Sequence, residues 1–293
     1  MKNQAVLFTK PVHHLGISLT DEELGRRALE FFSARGFSLK FKRTVSGAEL
    51  AECEIIRQHY LMYSKASYGE IEISEVGRNA FAEYYGKLWD DEVAAGRIMG
   101  NPQLLESKGI DAHQLFSLWN AAEVKKIETG LLTAWLEPLD CWCINAFYPA
   151  MEANFNHPAT RMDYYVLEFD PVEVSWRQFR REILGSTHAA KAAPESFRGQ
   201  LYSEYPVEFP GRDNFVHGSA GPLEGLIERT VHEPDFQLAD NPLGRWFEER
   251  GMSLERFRAW KESCSNTALG KIFDATEEKD TAAVLPLLDA VDW

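Results

Sequence analysis

The chain is short of cysteine, of positive charge and of long apolar runs, and each shortage excludes something. Its 293 residues include 4 cysteines, Cys53, Cys141, Cys143 and Cys264, with no Cys-x-x-Cys pair. Cys141-x-Cys143 has no second pair to match it, so free buried thiols are expected in place of a metal site. Lysine and arginine number 31 against 45 aspartates and glutamates, a formal net charge of −14. Such a field repels phosphate polymers and anionic lipid surfaces, so neither nucleic acid nor membrane is an expected partner, and any phosphate site has to be a local basic pocket. No eighteen-residue apolar run and no charged-then-apolar leader occurs, so the expected location is cytoplasmic. No Gly-x-x-x-x-Gly-Lys-Ser/Thr occurs either, which argues against P-loop chemistry.

What is present is ample core material: 45% of residues are hydrophobic and 12% aromatic, enough for a sizeable globular core. Ala5 to Thr9 reads as a buried strand that delivers Lys10-Pro11 at its tip. Thr20 with Glu23 marks a helix start, Leu24, Ala28, Leu29 and Phe32 continue its apolar stripe, and Gly36 stops it. Phe37, Leu39 and Phe41 then alternate with polar residues as a half-buried strand, and Ala48 to Tyr63 reads as a second helix. Met162 to Phe169 is strand-like, Val174 to Leu184 helical, Leu201 to Phe209 and Asn214 to Val216 strand-like, and Leu223 to Val231 helical. Between these blocks, Phe81, Tyr84, Tyr85 and Leu88, and more loosely Leu115, Leu118, Ala122 and Ile127, recur at helical spacing. Trp246, Phe247, Leu254, Phe257 and Trp260 do the same in the tail.

The chemistry-bearing stretch is Asn214-Phe215-Val216-His217-Gly218-Ser219, followed by Glu228. A neutral imidazole is a good nucleophile near neutral pH, and a carboxylate on one ring nitrogen fixes the tautomer and steadies the cation formed when the other attacks. Upstream, Arg181, Thr187 and Arg198 offer two planar forks and a hydroxyl, and Lys10 adds a point charge. Together these are what a triphosphate tail requires.

In these segments the chain resembles the nucleoside diphosphate kinases. The matching pieces are the strand ending in Lys10-Pro11, the unit from Asp21 to Val45, the His59-Tyr60 pair, Arg181 to Thr187, Arg198-Gly199, and Asn214 to Ser219 with Glu228. They span about half the chain. The resemblance implies a ferredoxin-like antiparallel α+β core in two parts, residues 1-69 and 146-235, with a helical insertion at 70-145 and a helical extension at 236-293. It implies that His217 carries a phosphoryl group and Glu228 orients it. Arg181, Thr187 and Arg198 would bind nucleotide phosphates, Lys10 and Asn214 would contact ribose hydroxyls and phosphate, and Tyr60 would line the phosphate pocket. Ser219 belongs to the same nucleotide-binding set. Tyr68 stands at the spacing of a base-stacking aromatic, with Phe147 and Met151 as the alternative. The donor would be a nucleoside triphosphate with Mg2+ held through its phosphates, and the acceptor a nucleotide or nucleotide-like small molecule.

The departures are local. Val12-His13-His14 stands where the family has Asp-Gly, the segment before Asn214 is longer, and Ala220 replaces an acidic residue. They leave a non-catalytic scaffold with the same fold as the rival reading. A zinc hydrolase built on His13, His14 and His217 is disfavoured, because adjacent histidines at a strand end do not readily face one ion. The insertion and tail are expected either to narrow the acceptor or to form a homo-oligomer interface.

Overall fold

The computed structural model describes every residue except Ser265 and Asp292, and side chains for all others but Asn266 and Thr267. The chain divides into two compact units. One comprises Met1–Ile55, Phe155–Cys264 and Lys271–Trp293, and the other Ile56–Asn154 with Ser265–Gly270.

The first unit is organised by a four-stranded sheet. Its strands are β1 (Asn3–Thr9), β2 (Ser38–Ser46), β3 (Arg161–Phe169) and β4 (Val216–Gly218). They lie in the order β2-β3-β1-β4, with every neighbouring pair antiparallel. All seven residues of β1 are buried, as a central strand covered on both faces requires. Helix α1 (Asp21–Ser33) starts where Thr20 accepts the Glu23 amide at 3.2 Å. It packs Leu24, Ala28 and Phe32 against Ala5, Leu7, Tyr165 and Leu167 in one apolar cluster. Gly25 lets α1 come close to β3. A Cβ there would stand 2.0 Å from an Asp163 carboxylate oxygen, and the Gly25 carbonyl accepts the Tyr165 hydroxyl at 2.8 Å.

Two local readings are corrected. Leu201 to Phe209 forms no strand: helix α2 runs over Phe197–Glu204, capped by Ser196, whose hydroxyl accepts the Gly199 amide at 3.1 Å. Phe197 and Leu201 are both buried, and their separation of four is the helical period, which overrides the strand propensity downstream. Ala48 to Tyr63 is not one helix but the pieces Gly47–Glu52, Ile55–His59 and Leu61–Tyr68. Glu54 has φ +48°, a left-handed conformation that no α-helix continues through.

The second unit is wider than the 70-145 insertion and is not purely helical. Lys125–Glu128, Leu131–Leu136 and Cys141–Ile144 form an antiparallel three-stranded sheet, with its first two strands joined at Gly130 (φ +77°). Ile127, expected to extend a helical stripe, lies in this sheet. The strands are too short for alternation to stand out beside the aromatic helices Glu75–Tyr85 and Ala112–Ala121. Among the described residues, no helix is long and apolar enough to cross a membrane.

Candidate functional site

The short strand β4 pairs with the end of β1, bringing His217 opposite Phe8. Side chains alternate across a strand, so Ala5 and Leu7 face α1 while Val6 and Phe8 face the opposite side, where helix α3 (Pro222–His232) lies against β1. His217 is on that side too, its ring stacked on Phe8 at a centroid distance of 4.6 Å. Phe215, two residues earlier, has φ +65°. That backbone strain, held by the Lys10 amide on the Phe215 carbonyl at 2.7 Å, turns the chain into β4; for a bulky residue it is uncommon and concentrates at functional sites.

Helix α3 brings Glu228 back to the imidazole. His217 Nε2 and Glu228 Oε1 are 2.6 Å apart, and Glu228 Oε2 accepts the Ser219 hydroxyl at 2.6 Å. Ser219 is fully buried and its Oγ accepts the Val6 amide at 2.8 Å, so the carboxylate is anchored to the central strand. Burial dominates both titrations. It pushes Glu228 up to about 8, against the Ser219 hydrogen bond and the charge of Arg180. It also holds His217 down at about 3, against the charge of Glu224 and helped by Lys10, Arg180 and Arg198.

Those cations, Lys10, Arg180 and Arg198, make a local basic cluster on a chain of net charge −14. Burial, together with Arg198 and Arg212, lowers the Lys10 ammonium to about 7, although Asp213 opposes the shift. Its Nζ donates to the Arg212 carbonyl at 3.3 Å. Asp213 in turn accepts both arms of Arg212 at 2.7 Å and faces His14 Nε2 at 3.2 Å, which ties down the loop before β4. Asn214 Nδ2 donates to the Gly211 carbonyl at 3.0 Å, while its Oδ1 is buried without a hydrogen-bond partner. A buried acceptor left unpaired is costly unless something donates to it.

The site residues read from sequence are not all assembled. Lys10, Arg198, Asn214, Ser219, His217 and Glu228 come together. Arg181 does not: its side chain is 58% exposed and its guanidinium ion-pairs with Glu278 at 2.6 Å. Its neighbour Arg180 takes the inward place and donates to the Gly218 carbonyl at 2.6 Å. The exchange arises because Phe179–Leu184 is π-helical, closed by the Gly185 amide on the Arg180 carbonyl, and the wider turn moves the side-chain register by about one residue. Thr187 is half-buried, and its carbonyl accepts the Tyr202 hydroxyl at 2.9 Å.

Arg198 has a role that its spacing did not suggest. It is only 3% exposed and donates to the carbonyls of Gly185, Asn214 and Val216 at 2.7, 3.2 and 2.6 Å. It therefore clamps the approach to β4. Tyr60 and Tyr68 belong to the second unit. The Tyr60 ring stands edge-on to His59 at 4.4 Å. The Tyr68 hydroxyl donates to Glu152 at 2.5 Å, with the Arg57 guanidinium over its ring.

Sequence reasoning missed Glu224. It lies in the first turn of α3, one turn before Glu228, and its carboxylate accepts the Ala220 amide. Burial and Glu228 raise it to about 7. The four-residue spacing to Glu228 was the signal that could have found it.

No family model and no curated protein matches the chain. Among solved structures, an NDP kinase from Pyrobaculum aerophilum is similar at 17% sequence identity and a TM-score of 0.36, over 80% of this chain and 97% of that one. The chain itself is a mixed assembly of helices and antiparallel sheets.

Proposed function

We propose that the first unit is a phosphotransferase with a nucleoside diphosphate kinase-like, ferredoxin-like core, moving the γ-phosphoryl group of a nucleoside triphosphate through His217. The observation that carries this reading is the fixed imidazole: Nε2 meets an anchored carboxylate at 2.6 Å, inside a cationic cluster on an otherwise acidic chain. With Nε2 engaged by Glu228, Nδ1 is the attacking atom. Its lone pair forms the bond to phosphorus as the bond to the leaving diphosphate breaks, and Glu228 steadies the positive ring. Lys10 and Arg180 neutralise phosphate charge, and the Asn214 Oδ1 acceptor suits a ligand hydroxyl. The cations gathered here suit phosphate oxygens. Magnesium would arrive on the triphosphate and supply further charge neutralisation there.

The test is incubation with γ-labelled ATP and magnesium. The expected product is an acid-labile, base-stable label on His217, absent from His217→Ala. Label that persists in that variant overturns the assignment.

A further inference from the structure

Glu224 is a second carboxylate beside the imidazole, and the reaction just proposed does not use it. It shares a helical face with Glu228 because the two are four residues apart. The Ala220 amide, three residues after His217 in the chain, holds one of its oxygens, so the carboxylate of this half-buried residue is turned toward the β4 end. The charged groups around it are Glu228 on its own helix, His217 on β4 and Arg180 on the π-helical segment. Arg180 lies near both carboxylates and 3.9 Å from Glu277.

A nucleoside diphosphate offers an anionic phosphate oxygen, which attacks without losing a proton and is repelled by a nearby carboxylate. A hydroxyl is the opposite case: it must shed a proton as it attacks, and a positioned carboxylate supplies the base. Resting on the phosphohistidine reading, we propose that the acceptor is a hydroxyl compound, an alcohol or water, and that Glu224 is its general base. The hydroxyl oxygen forms the bond to phosphorus, its proton passes to Glu224, the nitrogen–phosphorus bond breaks and the electron pair returns to Nδ1 of His217. The acceptor gains a phosphate ester, or water yields inorganic phosphate. Burial raises Glu224 to about 7, which suits a base near neutral pH.

The experiment uses isolated labelled protein, wild type and Glu224→Gln, chased in parallel with buffer alone, with glycerol and with ADP. Glycerol and water should discharge the wild-type label, with a rate relative to ADP that rises with pH through neutrality. Glu224→Gln should lose about 10²-fold in transfer to glycerol and water relative to transfer to ADP, the size general-base removal commonly has. Equal losses on all acceptors, or discharge of wild type by ADP alone, overturns the role of Glu224 and leaves the phosphohistidine intact. Failure to label wild-type His217 overturns both readings.

Discussion

Replacing Arg198 with methionine removes a buried guanidinium while keeping most of the apolar stem. Three carbonyls then lose a charged donor: Gly185 at the end of the π-helical segment, and Asn214 and Val216 on either side of the strained Phe215. Hydrogen bonds to charged groups each contribute about 1.5–3 kcal/mol, so a simple sum runs to about 4.5–9 kcal/mol. The three share one donor group and are not additive, and the variant recovers the cost of burying a charge. A loss of about 3–5 kcal/mol is the reasoned figure. Against an ordinary total of about 5–15 kcal/mol, that is at least about a fifth of domain stability. Urea unfolding should show the midpoint falling by about 1–2.5 M for a slope near 2–3 kcal/mol/M. Amide exchange should quicken first around Gly185 and over residues 214–218, because these are the backbone segments that the guanidinium ties together. A soluble variant with an unchanged midpoint and unchanged exchange, but impaired labelling, would refute the clamp and return Arg198 to a phosphate-binding role alone.

Phosphoenzyme formation should rise with pH. Below about 8 the raised Glu228 holds a proton and donates it to Nε2, leaving the ring hydrogen on Nδ1, whereas the ionised carboxylate accepts from Nε2 and frees the Nδ1 lone pair. Single-turnover labelling should grow roughly fivefold from pH 7 to 8, and a flat profile would contradict this tautomer argument. Stability should run the other way over the same window. The raised Glu224 and Glu228 contribute fully below their ordinary value and lose that contribution as pH climbs through about 7 to 8. The lowered His217 and His232 contribute above their ordinary value and lose it as pH falls toward about 3, so the melting temperature should pass through a local maximum between about pH 5 and 6.5, with the lowered Lys10 returning stability only above about pH 7; a melting temperature that climbs without a break from about pH 4 to 8 would count against it. Gly25→Ala should destabilise by about 1–3 kcal/mol through its clash with Asp163, measured by thermal melting; a gain in stability would show that α1 can shift. Thiol labelling of native protein should reach Cys53 quickly and Cys141 and Cys143 only on unfolding, and fast native modification of the latter pair would contradict their burial.

Residue types and spacing determined a good deal here. The pairing of His217 with Glu228 was legible in the Ser219-to-Glu228 spacing on which the resemblance rested, and a short turn followed by less than two turns of α3 delivers it. Strands β1 and β3 and helices α1 and α3 were legible for a similar reason, since their apolar periods are long and uninterrupted. The scarcity of positive charge already meant that any phosphate site had to be a local basic cluster. Tertiary structure decided which arginine enters that cluster, because a π turn moves the register by one residue and brings in Arg180 while Arg181 goes to Glu278. It turned Arg198 into a clamp, since the backbone carbonyls that converge on its guanidinium around β4 carry no sequence signature. It also made a sheet within the 56–154 unit, where short strands gain their pairing energy only from partners that the local pattern does not name.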